Sequence, residues 1–199
     1  DRGTKAVYYT AISEADRQVG RLLTKLDELG LSDTTMVAFT SDNGPEDIYI
    51  REANFSGIGS TGPFRGRKRS LYEGGVRMPL IVRLPGVTPP GTVNDSVVAS
   101  VDFLPTAAAL VGQPLPPGLH LDGENVLQAL QGATRQRIGP LMWESAYVRP
   151  YGSSQDRSPT LAMRDGSWKL LMNTDGQRQE LFNIADDPGE RTDLSGSTE

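Results

Sequence analysis

Between residues 8 and 29, apolar side chains recur at steps of three and four: Ile12, Ala15, Val19, Leu22, Leu23, Leu26 and Leu29. That period predicts an amphipathic helix, and Gly30 is placed to end it. Arg17, Arg21 and Lys25 line the opposite face four residues apart, as a solvated helix face does. The period then changes. Thr35-Met36-Val37-Ala38-Phe39-Thr40 is a mostly apolar run rich in β-formers and predicts a buried strand, reached through Leu31-Ser32-Asp33. Helix, short connection and buried strand make one unit of a layered α/β sheet. At Ser41-Asp42-Asn43-Gly44 the polarity switches abruptly, and Gly44-Pro45 marks a tight turn.

From Glu46 to Gly62 the chain is polar with little periodicity, a long loop of the kind that is usually functional. Gly57-Ile58-Gly59-Ser60-Thr61-Gly62 matches the dinucleotide fingerprint letter for letter. No apolar strand precedes it, Pro63 follows it and no amphipathic helix starts after it, so a dinucleotide site is excluded. Met78-Pro79-Leu80-Ile81-Val82 predicts a second buried strand, Pro85 to Gly91 a bend, and Val97 to Val101 a third short strand. Asp102 is placed to cap a helix through Val111, with Pro105 in its first turn and Gly112 closing it. After a proline-rich connector from Gln113 to Gly118, Asp122 is placed to cap a further short helix ending near Gly132.

Beyond Arg135 the runs shorten. Leu141-Met142-Trp143, Thr160 to Arg164, Trp168 to Met172 and Gln179 to Phe182 predict strands, with Asp165-Gly166 as a hairpin signal between two of them. The tail from Asp186 to Glu199 is polar. The pattern divides the chain into an α/β unit over 1–133 and a small antiparallel β unit over 134–199.

Composition narrows the function classes. With 37% hydrophobic and 23% charged residues over 199 positions, the chain can bury a sizeable core. A formal charge of −5 argues against general nucleic-acid binding. No apolar run approaches the roughly 18 residues of a membrane span. The chain begins at Asp1 without a methionine, so the lack of a visible signal segment says nothing about secretion. There is no cysteine, hence no disulfide and no thiolate chemistry. The one histidine, His120, sits in a connector, where a structural role is the ordinary one. Asn54-Phe55-Ser56 and Asn94-Asp95-Ser96 are glycosylation triplets of the kind that arise by chance.

Two stretches carry candidate chemistry. Asp42 and Asn43 follow a strand end, where ligands of open α/β sheets sit. A carboxylate and an amide oxygen side by side are hard donors, suited to Ca²⁺ or Mg²⁺ rather than Zn²⁺. The same residues also read as a plain turn. Arg65, Arg67, Lys68 and Arg69 flank Gly66 and form a cationic cluster, either a solvated charge run or a patch for a polyanion.

Ser41-Asp42-Asn43-Gly44, Gly62-Pro63-Phe64-Arg65-Gly66-Arg67-Lys68 and Leu71-Tyr72-Glu73-Gly74-Gly75-Val76-Arg77-Met78-Pro79 follow one another in this order. They are joined by Val101-Asp102-Phe103-Leu104-Pro105-Thr106, Leu121-Asp122-Gly123, Arg164-Asp165-Gly166-Ser167-Trp168-Lys169, Glu180-Leu181-Phe182-Asn183 and Asp187-Pro188-Gly189-Glu190. Together these resemble the second half of the formylglycine-dependent sulfatases over nearly the whole chain.

The resemblance implies the C-terminal part of an alkaline-phosphatase-like α/β sandwich, followed by a small antiparallel sheet. It implies Ca²⁺-assisted hydrolysis of a sulfate ester, with Asp42 and Asn43 on the metal and Lys68 on the sulfate. Lys68 takes the lysine place of an Arg-Gly-x-Lys pattern; at position x stands Arg67, where glycine is common in the family, leaving its role open. The implied substrate is a sulfated small molecule or sulfated carbohydrate, and the implied location extracytoplasmic. The family's nucleophile is a formylglycine made from the first residue of a Cys/Ser-x-Pro-Ser-Arg motif. No such motif occurs here. The chain alone is therefore expected to be inactive and to need the family's N-terminal half as partner. A phosphonate or phosphodiester hydrolase of the same superfamily and a non-catalytic binding or scaffold fragment are the alternatives.

Overall fold

The computed structural model of the chain describes residues 2–46, 58–145 and 154–197, with side chains from residue 5 onward. The glycine-rich segment is described only from residue 58, and the Asn54 triplet lies outside the described residues.

Helix α1 runs from Arg2 to Glu28, starting earlier than the apolar spacing requires. Gly30 ends it in the left-handed region at φ 67, a conformation that costs glycine nothing. Leu31 N–H then reaches back to the Leu26 carbonyl at 2.9 Å and Gly30 N–H to that of Asp27 at 3.0 Å, closing the last turn. No helix among the described residues is long and apolar enough to cross a membrane.

Strands β1 (Val37–Thr40) and β2 (Leu80–Arg83) form an antiparallel pair in which Phe39 opposes Ile81. These strands were expected to be buried, and they are not: Phe39 is 53% exposed and Ile81 65%. Burial of an apolar strand is conferred by the layers on either face: Leu80 and Val82 are half-buried and share a small apolar cavity with Phe103, Thr106 and Leu130, whereas the face of Phe39 and Ile81 stays open. The stripe of α1 is open for the same reason, with Ile12, Leu22 and Leu29 all exposed.

The third expected strand, Val97 to Val101, is also absent. The chain instead enters a 3₁₀ turn at Ser100–Asp102 and passes into α3, Phe103–Leu110. The cause is Asp102, which is fully buried and does not cap α3 with its side chain. Its Oδ2 accepts the Ala99 N–H at 2.8 Å, bending the preceding residues, and its Oδ1 accepts the Glu124 N–H at 2.8 Å. Arg137 completes the set, Nη1 lying 2.5 Å from Oδ2. Asp122 caps nothing: with the next backbone groups drawn to Asp102, helix α4 begins only at Leu127 and runs to Leu130. Asn94 serves this corner as well, its Nδ2 donating to the Ala129 and Ala133 carbonyls at 3.1 and 3.0 Å.

The C-terminal strands form as the pattern predicts. β3 (Leu141–Glu144), β4 (Leu161–Asp165), β5 (Trp168–Met172) and β6 (Glu180–Asn183) make an antiparallel meander in sequence order. The β4–β5 hairpin turns through Gly166-Ser167, with Asp165 opposite Trp168. Strand alternation places Ala162, Lys169, Leu171 and Phe182 on the buried face.

What covers that face is the loop ahead of β2. A short helical turn, α2 (Glu73–Val76), and the residues before it bring Leu71 and Tyr72 onto Ala162, Leu171, Phe182 and Ile184. The Tyr72 and Phe182 rings meet edge to face at 6.5 Å, and the Arg65 guanidinium lies over Tyr72 at 3.8 Å. Burial, followed by the hydrogen bond to Glu180 and that group's charge, holds the Tyr72 phenol well above its ordinary pKa despite Arg65 and Arg178. It is therefore a neutral donor to Glu180 Oε2, at 2.5 Å.

Within this interface lies a buried ion triad. Lys169 Nζ is 2.8 Å from Glu73 Oε1 and 2.9 Å from Glu190 Oε1. Glu190 Oε2 accepts the Glu73 N–H at 2.6 Å, and Arg77 approaches Glu73 from the surface at 3.6 Å. Removing the ammonium strands two carboxylates away from water. Lys169→Met is therefore expected to lower unfolding free energy by about 3–5 kcal/mol in urea denaturation, far more than a surface charge deletion. Burial also pushes the Glu190 carboxyl up from 4.5 to about 6, the attraction of Lys169 and the Glu73 N–H offsetting only part of it. The folded chain thus holds more protons at Glu190 between those values than the unfolded chain. Its contribution to stability is full below 4.5 and declines as pH rises through about 6. Glu190→Gln should remove that decline when denaturation midpoints are compared across the window.

Candidate active site

Strand β1 delivers Ser41, Asp42 and Asn43 at its carboxyl end. Ser41 Oγ donates to the Asn43 carbonyl at 3.1 Å, curling the segment back on itself. Asn43 Nδ2 donates to the Gly44 carbonyl at 3.0 Å, which commits its nitrogen and leaves Oδ1 as the open acceptor. Asp42 is exposed and Asn43 half-buried.

The next residues are fastened to the loop that carries the cationic cluster. Gly44 N–H donates to the Gly75 carbonyl at 3.0 Å, and Lys68 N–H donates to the Pro45 carbonyl at 3.1 Å. Two glycines permit this approach. A Cβ on Gly44 would collide with the Gly74 carbonyl, and one on Gly75 with the carbonyls of Ser70 and Arg67. The structure therefore brings Lys68 to the segment of Asp42 and Asn43.

Inside the cluster the four cations divide by role. Arg65 donates to the Gln155 carbonyl at 2.9 Å and the Glu190 carbonyl at 3.2 Å. Arg67 turns toward the carbonyls of Glu46 and Gly59 and holds the loop. Arg69 forms a forked pair with Glu46 at 2.6 and 2.5 Å. Lys68, half-buried, has no ion pair or side-chain hydrogen bond among the described residues. Among the described residues its ammonium has no partner within the protein. His120 is exposed in its connector.

The donor chemistry of Asp42 and Asn43 fits a hard cation, since a carboxylate and an amide oxygen stand on adjacent residues and the amide nitrogen is already committed. Two donors are short of the about six to eight that Ca²⁺ takes. Among the described residues no group of three or more His, Asp or Glu is placed to hold a metal. Further ligands would have to come from elsewhere.

Sequence reasoning missed Glu73, Lys169 and Glu190 as a set, and Asp102 as a hub. The available signal was Lys169, which alternates in phase with Leu171 on a strand whose other face also carries apolar residues. A lysine on that face needs a buried anion.

Residues 2–113 match the family described as Sulfatase, and residues 61–199 match N-sulphoglucosamine sulphohydrolase, C-terminal. The chain is 33% identical over 224 residues to steryl-sulfatase of Mus musculus, covering 100% of this chain and 35% of that protein. It is 31% identical over 217 residues to arylsulfatase A of Homo sapiens, covering 98% of this chain and 40% of that protein. Among solved structures it resembles Ps i-CgsB in complex with k-i-k-neocarrahexaose, with TM-score 0.73, 29% identity, and coverage of 90% of this chain and 36% of that one. The chain thus spans well under half the length of these relatives. The α/β architecture is that of the alkaline-phosphatase-like enzymes, and the chain belongs to the sulfatase family, of which it carries the C-terminal portion.

Proposed function

We propose that this chain supplies the metal-binding and sulfate-binding residues of a sulfuric ester hydrolase whose nucleophile, a formylglycine in the family, lies outside it. The observation that carries the reading is the division of the cationic cluster: its three arginines are occupied within the protein, while Lys68, whose backbone is tied to the segment that follows Asp42 and Asn43, has no side-chain partner among the described residues.

Asp42 and Asn43 would hold the Ca²⁺. When bound there, the ion draws charge from the sulfate oxygens as a Lewis acid. Asn43 enters with its oxygen already directed by the bond from its nitrogen to Gly44, so little reorganisation is needed. Lys68 provides a compact, mobile positive charge for the ester, suited to an oxygen that becomes negative as the S–O bond breaks. Its proton can pass to that leaving oxygen to give the free hydroxyl, and a proton from the incoming water restores the ammonium. Arg67 and Arg69, fixed to Glu46 and Gly59, keep the loop in place.

The division of the chain at about residue 133 separates this machinery from the antiparallel sheet that supports it. The substrate is a sulfated small molecule or carbohydrate, and the surroundings are extracytoplasmic, both by likeness to the relatives.

Two measurements test the reading with the nucleophile-bearing half supplied; the chain expressed alone should show no turnover of an aryl sulfate. Lys68→Ala is expected to lower kcat/KM at least about tenfold, the loss of one charge-assisted contact. The thermal midpoint should not move, because the ammonium supports no fold contact among the described residues. A paired phosphonate ester assay separates the hydrolase alternatives. Asp42→Ala should abolish Ca²⁺-dependent thermal protection as well as turnover; protection that survives would make residues 41–44 a turn and nothing more.

A further inference from the structure

Asn43 is the only asparagine of the chain that glycine follows. Such a pair has a chemistry of its own. The backbone nitrogen of the following residue can attack the asparagine Cγ, and glycine, lacking a Cβ, obstructs that approach least. A bond forms between Gly44 N and Asn43 Cγ, and the Cγ–Nδ2 bond breaks. Ammonia leaves with the hydrogen that Gly44 N gives up, and a cyclic imide remains. Water then opens the imide, its hydroxyl adding to either carbonyl carbon and its other hydrogen returning to the nitrogen. The products are aspartate and isoaspartate, the latter with the main chain running through the side-chain carbons.

The fold holds both reacting groups. Gly44 is buried, and its N–H, whose hydrogen must be lost, donates to the Gly75 carbonyl at 3.0 Å. Nδ2, the leaving group, donates to the Gly44 carbonyl at 3.0 Å. The turn that supplies Gly75 is itself fixed: the Gly75 N–H reaches the Tyr72 carbonyl at 2.8 Å, and the Gly74 N–H that of Arg65 at 2.6 Å. Glu73, at the head of the same turn, is paired with Lys169 at 2.8 Å. The labile pair is also imposed. A Cβ on residue 44 would collide with the Gly74 carbonyl, so no side chain fits there while the turn is docked. The contact that demands glycine after Asn43 is the one that restrains the glycine nitrogen.

We propose that Asn43 is a latent deamidation site, kept closed by the seating of the Gly74-Gly75 turn on Gly44 and converted to aspartate or isoaspartate when that turn lifts. The reaction consumes only water, and it stands apart from any hydrolysis of an ester by the complete enzyme. It also runs one way. Neither product can donate to the Gly44 carbonyl, because an ionised carboxylate only accepts. Isoaspartate further lengthens the main chain by a methylene and carries Gly44 out of register with Gly75. A transient local opening, of the kind that needs no global unfolding, is thereby made permanent.

The test is peptide mapping by mass spectrometry of the full chain held at mildly alkaline pH in buffer, in dilute urea, and fully unfolded in urea. In the unfolded chain Asn43 is expected to convert to the mixture of aspartate and isoaspartate that a cyclic imide yields. In buffer the conversion should be at least about tenfold slower, because two hydrogen bonds must open first. Dilute urea should speed it before circular dichroism registers any loss of sheet. Gly75→Ala, whose Cβ would collide with the Ser70 carbonyl, should speed it at least about tenfold in buffer. Equal rates in buffer and in the unfolded state, or no conversion when unfolded, overturn the proposal. So does an unchanged rate in a Gly75→Ala chain that keeps its sheet. Where that variant does not fold, the urea series decides: a rate that rises only with global unfolding removes the turn from the account.

Discussion

The interaction on which the described structure turns is the enclosure of Lys169 between two carboxylates. Taking three charges out of water costs several kcal/mol per ion, and attraction recovers this only when geometry and hydrogen bonds are good. Here the ammonium lies within 2.9 Å of both anions, and Glu190 also accepts the Glu73 N–H. The three residues come from α2, β5 and the segment after β6. The loop that precedes α2 is the one that carries Lys68. Displacing Glu73 would therefore displace the loop, and with it the contacts that tie the cationic cluster to the segment after β1. A hydrophobic replacement of the triad could be as stable, but it would specify the seating of the loop less sharply, since dispersion tolerates sliding and a buried charge does not.

From that anchor the site follows by backbone contact. Glycines at 44, 74 and 75 let two segments pack main chain against main chain, and the two hydrogen bonds from Gly44 and Lys68 fasten them. Side chains then sort themselves by reach. The planar guanidiniums of Arg65, Arg67 and Arg69 find carbonyls and a carboxylate nearby, as their several donors favour, whereas the single flexible ammonium of half-buried Lys68 has no partner among the described residues. Distance from a competing acceptor, as much as charge, selects the residue available to a ligand.

Much of this was legible in the sequence where the relevant physics is local. The four C-terminal strands, the Gly166 hairpin and the glycine stop of α1 depend on neighbours a few residues away, and the structure has them as read. Failures arise where the deciding partner is remote. Val97 to Val101 is β-branched and apolar, yet Asp102 pulls it into a turn through contacts with Glu124 and Arg137. Thr35 to Thr40 reads as buried, but burial belongs to the layers packed on a strand, not to the strand. For the site, Asp42, Asn43 and Lys68 were legible mainly because their surrounding text resembles a family; spacing alone equally described a turn and a charge run. That the turn and the charge run touch is a fact of three dimensions.

The triad also bears on the order in which the chain acquires its shape. Glu73 is 96 residues from Lys169 and 117 from Glu190, so its contacts close very long loops. The meander β3 to β6 closes short ones, and hairpins form in about 1–10 μs. Entropy favours the local sheet first, with Lys169 still hydrated on an open face. Docking of residues 64–76 then dehydrates the ammonium and both carboxylates in one step. That docking fixes the seating of the segment that carries Lys68, so a chain caught before it would show near-native sheet content with that segment unanchored.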